Sequence, residues 1–183
     1  MIKTYLNRLR CTEKCPPRKS LSKIAWSCLG IFISLYLVSW LSKYGQTDIL
    51  KNFFLVAPVG ASAVLIYGVP QAEFSQPRNV IGGHIISAFI GISVYKYVQL
   101  DVLFLGAIAV SLATAIMQLT RTLHPPSGAT AFITVIGGNE IHELGYAFIF
   151  NPIAIGAVIL VGLALLVNNL SNNPKRHYPS YWW

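Results

Sequence analysis

Charged side chains are scarce in this sequence of 183 residues. Asp, Glu, Lys and Arg together make up 11% of it, and only six residues are acidic. Soluble domains carry about 25% charged residues, so this composition excludes an ordinary water-exposed surface. Hydrophobic residues account for 54%. We therefore predict an all-α polytopic membrane protein, whose length allows about five or six helices of roughly 20 residues each.

Cysteine and the signatures of enzymes are also rare. Cys11, Cys15 and Cys28 form no even framework, which is typical of incidental thiols in a reducing compartment. The sequence has no Walker-type phosphate loop, no paired carboxylates within an apolar segment and no metal-ligand spacing. His142 lies between two glutamates in what reads as a solvated loop. We predict no enzymatic activity, no cofactor and no bound metal.

Six apolar segments, bounded by polar residues, proline or glycine, follow one another along the chain. They cover residues 24–42, 53–69, 79–99, 102–123, 126–138 and 148–170. The second and fifth contain short helical pieces, at residues 58–70 and 126–138, each about 20 Å long. A hydrocarbon core is about 30 Å thick. We therefore predict six helical segments, of which two are half helices or broken helices.

Positive charge predicts the orientation of these segments. With six crossings and a cytoplasmic N-terminus, eleven of the fourteen basic residues lie inside and three, Lys43, Lys51 and Lys96, lie outside. Residues 1–23 then form a basic arm that contacts anionic lipid headgroups rather than nucleic acid. Residues 24–170 form the transmembrane domain. Residues 171–183 form a cytoplasmic tail, whose aromatic residues suit the membrane boundary.

The two short segments resemble each other and indicate an internal repeat. Residues 58–63 read PVGASA and residues 126–131 read PSGATA, 68 positions later. A weaker match relates NVI at residues 79–81 to NPI at residues 151–153. Repeats at about 24–100 and 102–170 would each hold three segments, and an odd number places them in opposite orientations. This 3+3 inverted repeat is an architecture of secondary transporters.

Each short segment also predicts a place for a small anion. Proline suits the first turn of a helix, and free backbone N–H groups at a helix N-terminus attract anions. Two such ends would face one another near the midplane, although small residues also serve close helix packing. The candidate substrate-binding residues are Pro58, Gly60, Ala61, Ser62, Arg78, Asn79, His84, His124, Ser127, Gly128, Ala129 and Thr130.

The ionisable candidates among these residues carry open alternatives. Arg78 lies near the inner boundary, where binding a substrate and snorkelling to water both explain it. His84 lies deeper, so it either lines the pathway or is a packed and hydrogen-bonded histidine. His124 precedes two prolines. It either attracts an anion or couples proton movement, or it caps the preceding helix.

Three motifs carry a family resemblance: HPPSGATA at residues 124–131, PVGASA at 58–63 and QPRNVIGGH at 76–84. Together they resemble the HPP family of integral membrane proteins, over roughly residues 24–170. Members in cyanobacteria and plastid envelopes are associated with nitrite transport, so the resemblance implies a nitrite transporter. Because no long Ser- and Arg-rich transit peptide precedes the first segment, we expect a bacterial, cyanobacterial-type plasma membrane, with the plastid envelope as the alternative.

The residues leave other functions open. An anion channel would use the same inward-pointing half helices as a carrier, and a non-transporting sensor or assembly module is a further alternative. The expected partners are a small inorganic anion, nitrite above others, and the lipid bilayer. Small-residue faces on several segments also suit a homo-oligomer.

Overall fold

The computed structural model describes the backbone of residues 2–10, 13–44 and 53–183. Cys11, which belongs to the thiol interpretation, and Lys51, which belongs to the charge count, lie outside the described residues. Eight α-helices occur in the described part. They are α1 (Ile2–Arg8), α2 (Leu21–Tyr44), α3 (Phe53–Gly68), α4 (Pro77–Tyr97), α5 (Val102–Leu119), α6 (Ser127–Ile136), α7 (Asn139–Leu144) and α8 (Ile155–Asn169).

Four helical stretches are long and apolar enough to cross a bilayer. They are Leu21–Trp40, Pro77–Tyr97, Val102–Leu119 and Ile149–Asn169. Ala57–Gly68 and Ser127–Ile136 are shorter apolar helices. Large apolar side chains such as Phe32, Leu103 and Leu166 are exposed on the outer faces, as lipid contact requires. The prediction of a polytopic all-α membrane protein with six segments, two of them short, is confirmed.

The predicted helix start at Pro58 is wrong. Helix α3 begins at Phe53, so Pro58 lies within it. The apolar residues that precede Pro58 continue the helix, and proline is tolerated there because neighbouring groups in membrane proteins satisfy the freed carbonyl. One turn further along α3, the Ser62 hydroxyl oxygen lies 2.8 Å from the Pro58 carbonyl oxygen.

The start of the last span differs from that of its predicted repeat partner. Helix α4 begins directly at Pro77. Before α8, residues Ile149–Ala154 form an irregular turn in which Asn151 has extended backbone angles. Helix continuation is disfavoured for a residue that precedes proline, and Pro152 follows Asn151. The predicted Asn79 and Asn151 equivalence therefore holds in position along the chain but not in local conformation.

Helix packing follows the predicted duplication. Helices α2, α3 and α4 of the first repeat would correspond to α5, α6 and α8 of the second. When each helix is replaced by its counterpart, every packed pair becomes a pair that is also packed. Helix α2 packs against α3 and α8, as α5 packs against α6 and α4. Helix α3 packs against α8, as α6 packs against α4. The pairs α3 with α6 and α4 with α8 map onto themselves, and both are in contact.

Two glycines let α4 lie close to α6 and to the segment that precedes α6. A Cβ at Gly91 would overlap the Thr134 side chain and would lie 2.6 Å from the Ala131 carbonyl oxygen. A Cβ at Gly83 would lie 2.7 Å from the His124 Cβ and 2.9 Å from the Thr122 carbonyl oxygen. Small residues at membrane helix contacts let backbones approach in this way. The site described below lies at this contact.

The C-terminal tail is packed against the bundle. Arg176 is buried, and its guanidinium donates to the Tyr67 carbonyl at 3.0 Å and to the Asn168 side-chain oxygen at 2.8 Å. Tyr178 is also buried, and its hydroxyl donates to the Ser75 carbonyl at 2.9 Å. The sequence predicted a polar tail with boundary aromatics and did not predict this docking, because no local pattern marks a tertiary contact.

The two ends of the transmembrane domain lie at the same end of the bundle. The Arg176 guanidinium also reaches the Lys23 carbonyl, at 3.4 Å, in the first turn of α2. Arg78 at the start of α4 donates to the Thr120 carbonyl at the end of α5, at 2.6 Å. An even number of crossings requires this arrangement. We call this the basic end of the bundle, because Lys23, Arg78 and Arg176 lie there.

Candidate functional site

A buried histidine joins the two repeats. The His84 side chain lies about 10 Å along α4 from Pro77. Its Nε2 lies 2.9 Å from the Ser62 hydroxyl of α3, and its Nδ1 lies 2.8 Å from the Thr130 hydroxyl of α6. Ser62 and Thr130 are the matching residues of the repeated hexapeptides, 68 positions apart. His84 is therefore held between equivalent hydroxyls of the two repeats.

A second histidine meets the same serine. His124 Nε2 lies 2.8 Å from the Ser62 hydroxyl, and the two imidazole rings lie 5.1 Å apart, edge to face. The other nitrogen of His124, Nδ1, donates to the Phe74 carbonyl at 2.7 Å. Ser62, His84, His124 and Thr130 are all at most 3% exposed. We call these four residues the histidine cluster.

The chain reaches His124 through a tight reversal at the end of α5. The Thr122 N–H donates to the Met117 carbonyl and the Arg121 N–H to the Gln118 carbonyl, which is the Schellman pattern. Arg121 has a φ of 57°, the left-handed conformation that this pattern needs. Backbone groups therefore cap α5. The alternative in which His124 caps this helix is wrong, because its Nδ1 bonds to Phe74.

Three of the other predicted residues hold the segment that carries His124. Asn79 donates to the Leu123 carbonyl at 2.9 Å, one residue before the histidine. Ser127 donates to the His124 carbonyl at 2.6 Å. Arg78 is half-buried, and its bond to Thr120 fixes the start of the reversal. Their side chains position this segment and do not reach the cluster.

Four predicted residues are outside the site. Gly60 is half-buried with open space around it, and Ala61 is exposed. Gly128 is half-buried and Ala129 is exposed. The proposed free N–H donors are also occupied: Gly60 to Ser62 lie inside α3, and the Gly128 and Ala129 N–H groups donate to the Pro125 and Pro126 carbonyls. The structure therefore contradicts an anion site made by backbone N–H groups at two facing helix ends.

Hydrogen-bond accounting assigns the protons of the neutral cluster. The Phe74 carbonyl only accepts, so His124 Nδ1 carries a proton and Nε2 accepts from the Ser62 hydroxyl. Ser62 then accepts from His84 Nε2, and His84 Nδ1 accepts from the Thr130 hydroxyl. The four hydrogen bonds form one series in which every donor points in the same direction. The series runs from Thr130 through His84, Ser62 and His124 to the Phe74 carbonyl. Such a chain of hydrogen bonds is suited to moving a proton.

A small cavity adjoins the cluster. Its volume is about 30 Å³, and its walls come from α2, α3, α4, α6, α8 and the irregular turn before α8. Most of the wall is apolar, with His84, Thr130 and Ser39 as the residues bearing polar side chains. A cavity needs about 10–15 Å³ to hold one water molecule. This cavity therefore has room for a small ion at the interface of the two repeats.

The sequence did not indicate several parts of this site. The Phe74 carbonyl lies in a short turn without a motif, and Pro152 and Gly156 line the cavity from the last span. Pro152 was visible as part of the weaker repeat match, which was the available signal. Phe74 had none, because any residue supplies a backbone carbonyl.

Comparison with known proteins bears on this arrangement. A family model described as "HPP, transmembrane region" matches residues 16–179. The chain belongs to the HPP transmembrane family. The resemblance inferred from the HPPSGATA, PVGASA and QPRNVIGGH motifs is confirmed, and in this HPP protein two of the three motifs contribute His124, Thr130 and Ser62 to the cluster while the third contributes His84.

Relatives of this HPP protein include two transmembrane proteins of Dictyostelium discoideum. One is 41% identical over 184 residues, covering 98% of this chain and 57% of the relative. The other is 42% identical over 175 residues, covering 93% of this chain and 60% of the relative. The chain thus spans less than two thirds of the length of these curated relatives. No solved structure gives a significant match.

Proposed function

We propose that this HPP protein transports a small monovalent anion, nitrite above others, through the cavity beside His84. One observation carries the proposal: a small cavity at the interface of two inverted repeats, lined by His84 and Thr130. Midplane sites between inverted repeats are where secondary transporters bind their substrates. The histidine cluster takes the place of the helix N-termini as the anion-binding element.

The chemistry of the cavity supports a small anion. Thr130 offers a hydroxyl donor and His84 an imidazole that becomes cationic on protonation. The apolar remainder of the wall offers nothing to a strongly hydrated multivalent ion, whose desolvation would be costly. The volume of about 30 Å³ also excludes larger organic anions unless the repeats move apart. Nitrite combines a single charge with small size.

The family resemblance supports nitrite over other small anions. Transport rather than catalysis is the proposed role. We assign the basic end of the bundle to the cytoplasm, because positive residues favour that side. The proposed location is a bacterial plasma membrane, with a plastid envelope as the alternative. The Dictyostelium relatives place similar chains in a eukaryote as well.

Uptake into proteoliposomes tests the proposal. Purified protein is reconstituted, and nitrite uptake is measured against empty liposomes, with nitrate, formate, bicarbonate and chloride as competitors. We expect saturable nitrite uptake that the other anions inhibit weakly. His84→Gln should reduce uptake at least about tenfold, since a hydrogen bond to a charged group contributes about 1.5–3 kcal/mol and 1.4 kcal/mol corresponds to tenfold.

A matched histidine controls for the substitution. His177 is exposed in the C-terminal segment, and His177→Gln should leave uptake unchanged. If protein that elutes as a folded species takes up none of the five anions, each offered alone, the result would contradict the transport proposal and favour a sensor or assembly module. Equal inhibition by all competitors would retain anion transport and contradict nitrite selectivity.

A further inference from the structure

We propose that the histidine cluster is a proton-binding site and that one proton crosses the membrane with each anion. This inference rests on the proposed transport function and adds the proton as a second substrate. It follows from how the four side chains share their hydrogens. The cluster accepts one further proton in two ways, and both keep all four histidine nitrogens hydrogen-bonded with the heavy atoms where they are.

In the first arrangement the added proton resides on His84. Both nitrogens of His84 then donate, Nε2 to Ser62 at 2.9 Å and Nδ1 to Thr130 at 2.8 Å. Thr130 now accepts, so its own hydroxyl hydrogen is free to turn into the adjoining cavity, which Thr130 and His84 both line. Protonation therefore creates a positive charge and a new donor beside the place proposed for the anion.

In the second arrangement the added proton resides on His124. Its Nδ1 donates to the Phe74 carbonyl and its Nε2 donates to Ser62. The Ser62 hydroxyl then donates to His84 Nε2, which has become an acceptor, and His84 Nδ1 donates to Thr130. Each of the four histidine nitrogens keeps its hydrogen-bond partner in this arrangement, as in the first.

Ser62 connects the two arrangements. A proton leaves His84 Nε2 for the Ser62 oxygen as the Ser62 hydrogen passes to His124 Nε2, so one O–H bond forms as another breaks. The positive charge thereby moves between the cavity and the segment that begins at the reversal after α5. His124 follows Arg121 by three residues, and Arg121 is exposed at the basic end. The path thus links the cavity to that end.

Other charged groups do not intrude on the cluster. The described elements packed against α4 are α5, α6, α8 and the turns 73–75 and 149–154. Of these, only the first turn holds an ionisable side chain, Glu73, which is exposed. At the opposite end of α4, the His142 ring stacks on Tyr95, 3.5 Å between centroids. Lys96 lies over the Tyr146 ring at that end, 4.9 Å from its centroid. Arg78 of α4 bonds to the Thr120 carbonyl. Around Ser62, helix α3 carries no charged residue. Lys23 of α2 and Arg176 of the tail both lie at the basic end.

Binding of a proton changes the net charge that crosses the membrane. A monovalent anion and one proton cross together as a neutral pair, which lowers the cost of burying either charge in the membrane. A membrane potential acts only on net charge, so uptake should respond to a pH gradient and not to an electrical one.

Proteoliposomes containing the full chain and an internal pH-sensitive dye provide the test, with nitrite as the probe. Internal acidification and nitrite uptake are measured together, and empty liposomes give the leak of nitrous acid through lipid. Above that leak, we expect one proton per nitrite and an unchanged initial rate when valinomycin and potassium set an inside-positive potential. His124→Gln should slow gradient-driven uptake about tenfold, whereas His177→Gln should not.

The outcomes separate the two proposals. Nitrite uptake above the leak that carries no proton and accelerates at inside-positive potential would overturn proton coupling and leave anion transport standing. Absence of any uptake above the leak would overturn both. A His124→Gln variant that is folded by circular dichroism and size exclusion, and that keeps full proton-coupled uptake, would overturn the role of the cluster.

Discussion

Two buried polar networks in this protein use their hydrogen bonds differently. In the histidine cluster, each side chain can act as a donor or as an acceptor. One set of atomic positions therefore suits more than one arrangement of protons. Around Arg176, the guanidinium only donates and its main partners, the Tyr67 carbonyl and the Asn168 side-chain oxygen, only accept. The first network is suited to moving a proton, and the second is suited to holding the tail in place.

The Arg176 network should give the largest effect on stability. Arg176→Ala removes a buried cation and leaves the Tyr67 and Asn168 acceptors without their donor, and bonds to charged groups contribute about 1.5–3 kcal/mol each. We expect a loss of about 3 kcal/mol, measured by denaturant unfolding in detergent. Uptake per folded molecule should not change. Lys175→Ala, at the exposed neighbour, is the control, and an equal loss there would contradict the assignment.

Loss of Ser62 should break the histidine cluster. Ser62→Ala leaves His84 Nε2 and His124 Nε2 without their shared partner, and an unsatisfied buried group costs about 1–3 kcal/mol. We expect about 2 kcal/mol less stability together with loss of proton-coupled nitrite uptake. Ser93→Ala serves as the control, because Ser93 is half-buried and bonds to Phe89 and Tyr146 instead. A loss of stability without any change in nitrite uptake would show that Ser62 has a purely structural role, like the Arg176 network.

Thr130 sharpens the comparison, because the proposed mechanism uses only the hydroxyl of its side chain. Thr130→Val keeps the shape and removes the donor, so uptake should fall about tenfold, or 1.4 kcal/mol. Thr130→Ser should restore most of it. Thr114→Val is the matched control, because that hydroxyl bonds only to its own helix, at the Val110 carbonyl. Full uptake by Thr130→Val would rule out this hydroxyl as an anion ligand.

The smallest effect is expected at Tyr178. Burial raises the pKa of its hydroxyl, so the group stays protonated and donates to the Ser75 carbonyl. Tyr178→Phe should cost about 1 kcal/mol, the usual contribution of one hydrogen bond, with no change in uptake. Tyr36→Phe, on the exposed face of α2, should cost nothing measurable. A change in nitrite uptake caused by Tyr178→Phe would contradict a purely structural tail.

The sequence by itself determined the class of protein and the segments that matter. Scarce charge and six apolar runs indicated the membrane spans, because burying charge in lipid is costly. The repeated hexapeptide identified Ser62 and Thr130 as equivalents. The HPP motif and QPRNVIGGH drew attention to His84 and His124, since ionisable groups near membrane depth are rare without a function.

Only the tertiary structure decided what those residues do. Local pattern placed a helix start at Pro58, but the apolar residues before it extend the helix, so its N–H groups are not free. The meeting of His84 and His124 at Ser62 depends on side chains 22 and 62 positions away from that serine. The docking of Arg176 joins residues 109 positions apart. Such contacts arise from packing of the whole chain, and periodicity along a sequence reports only on the near neighbours of each residue.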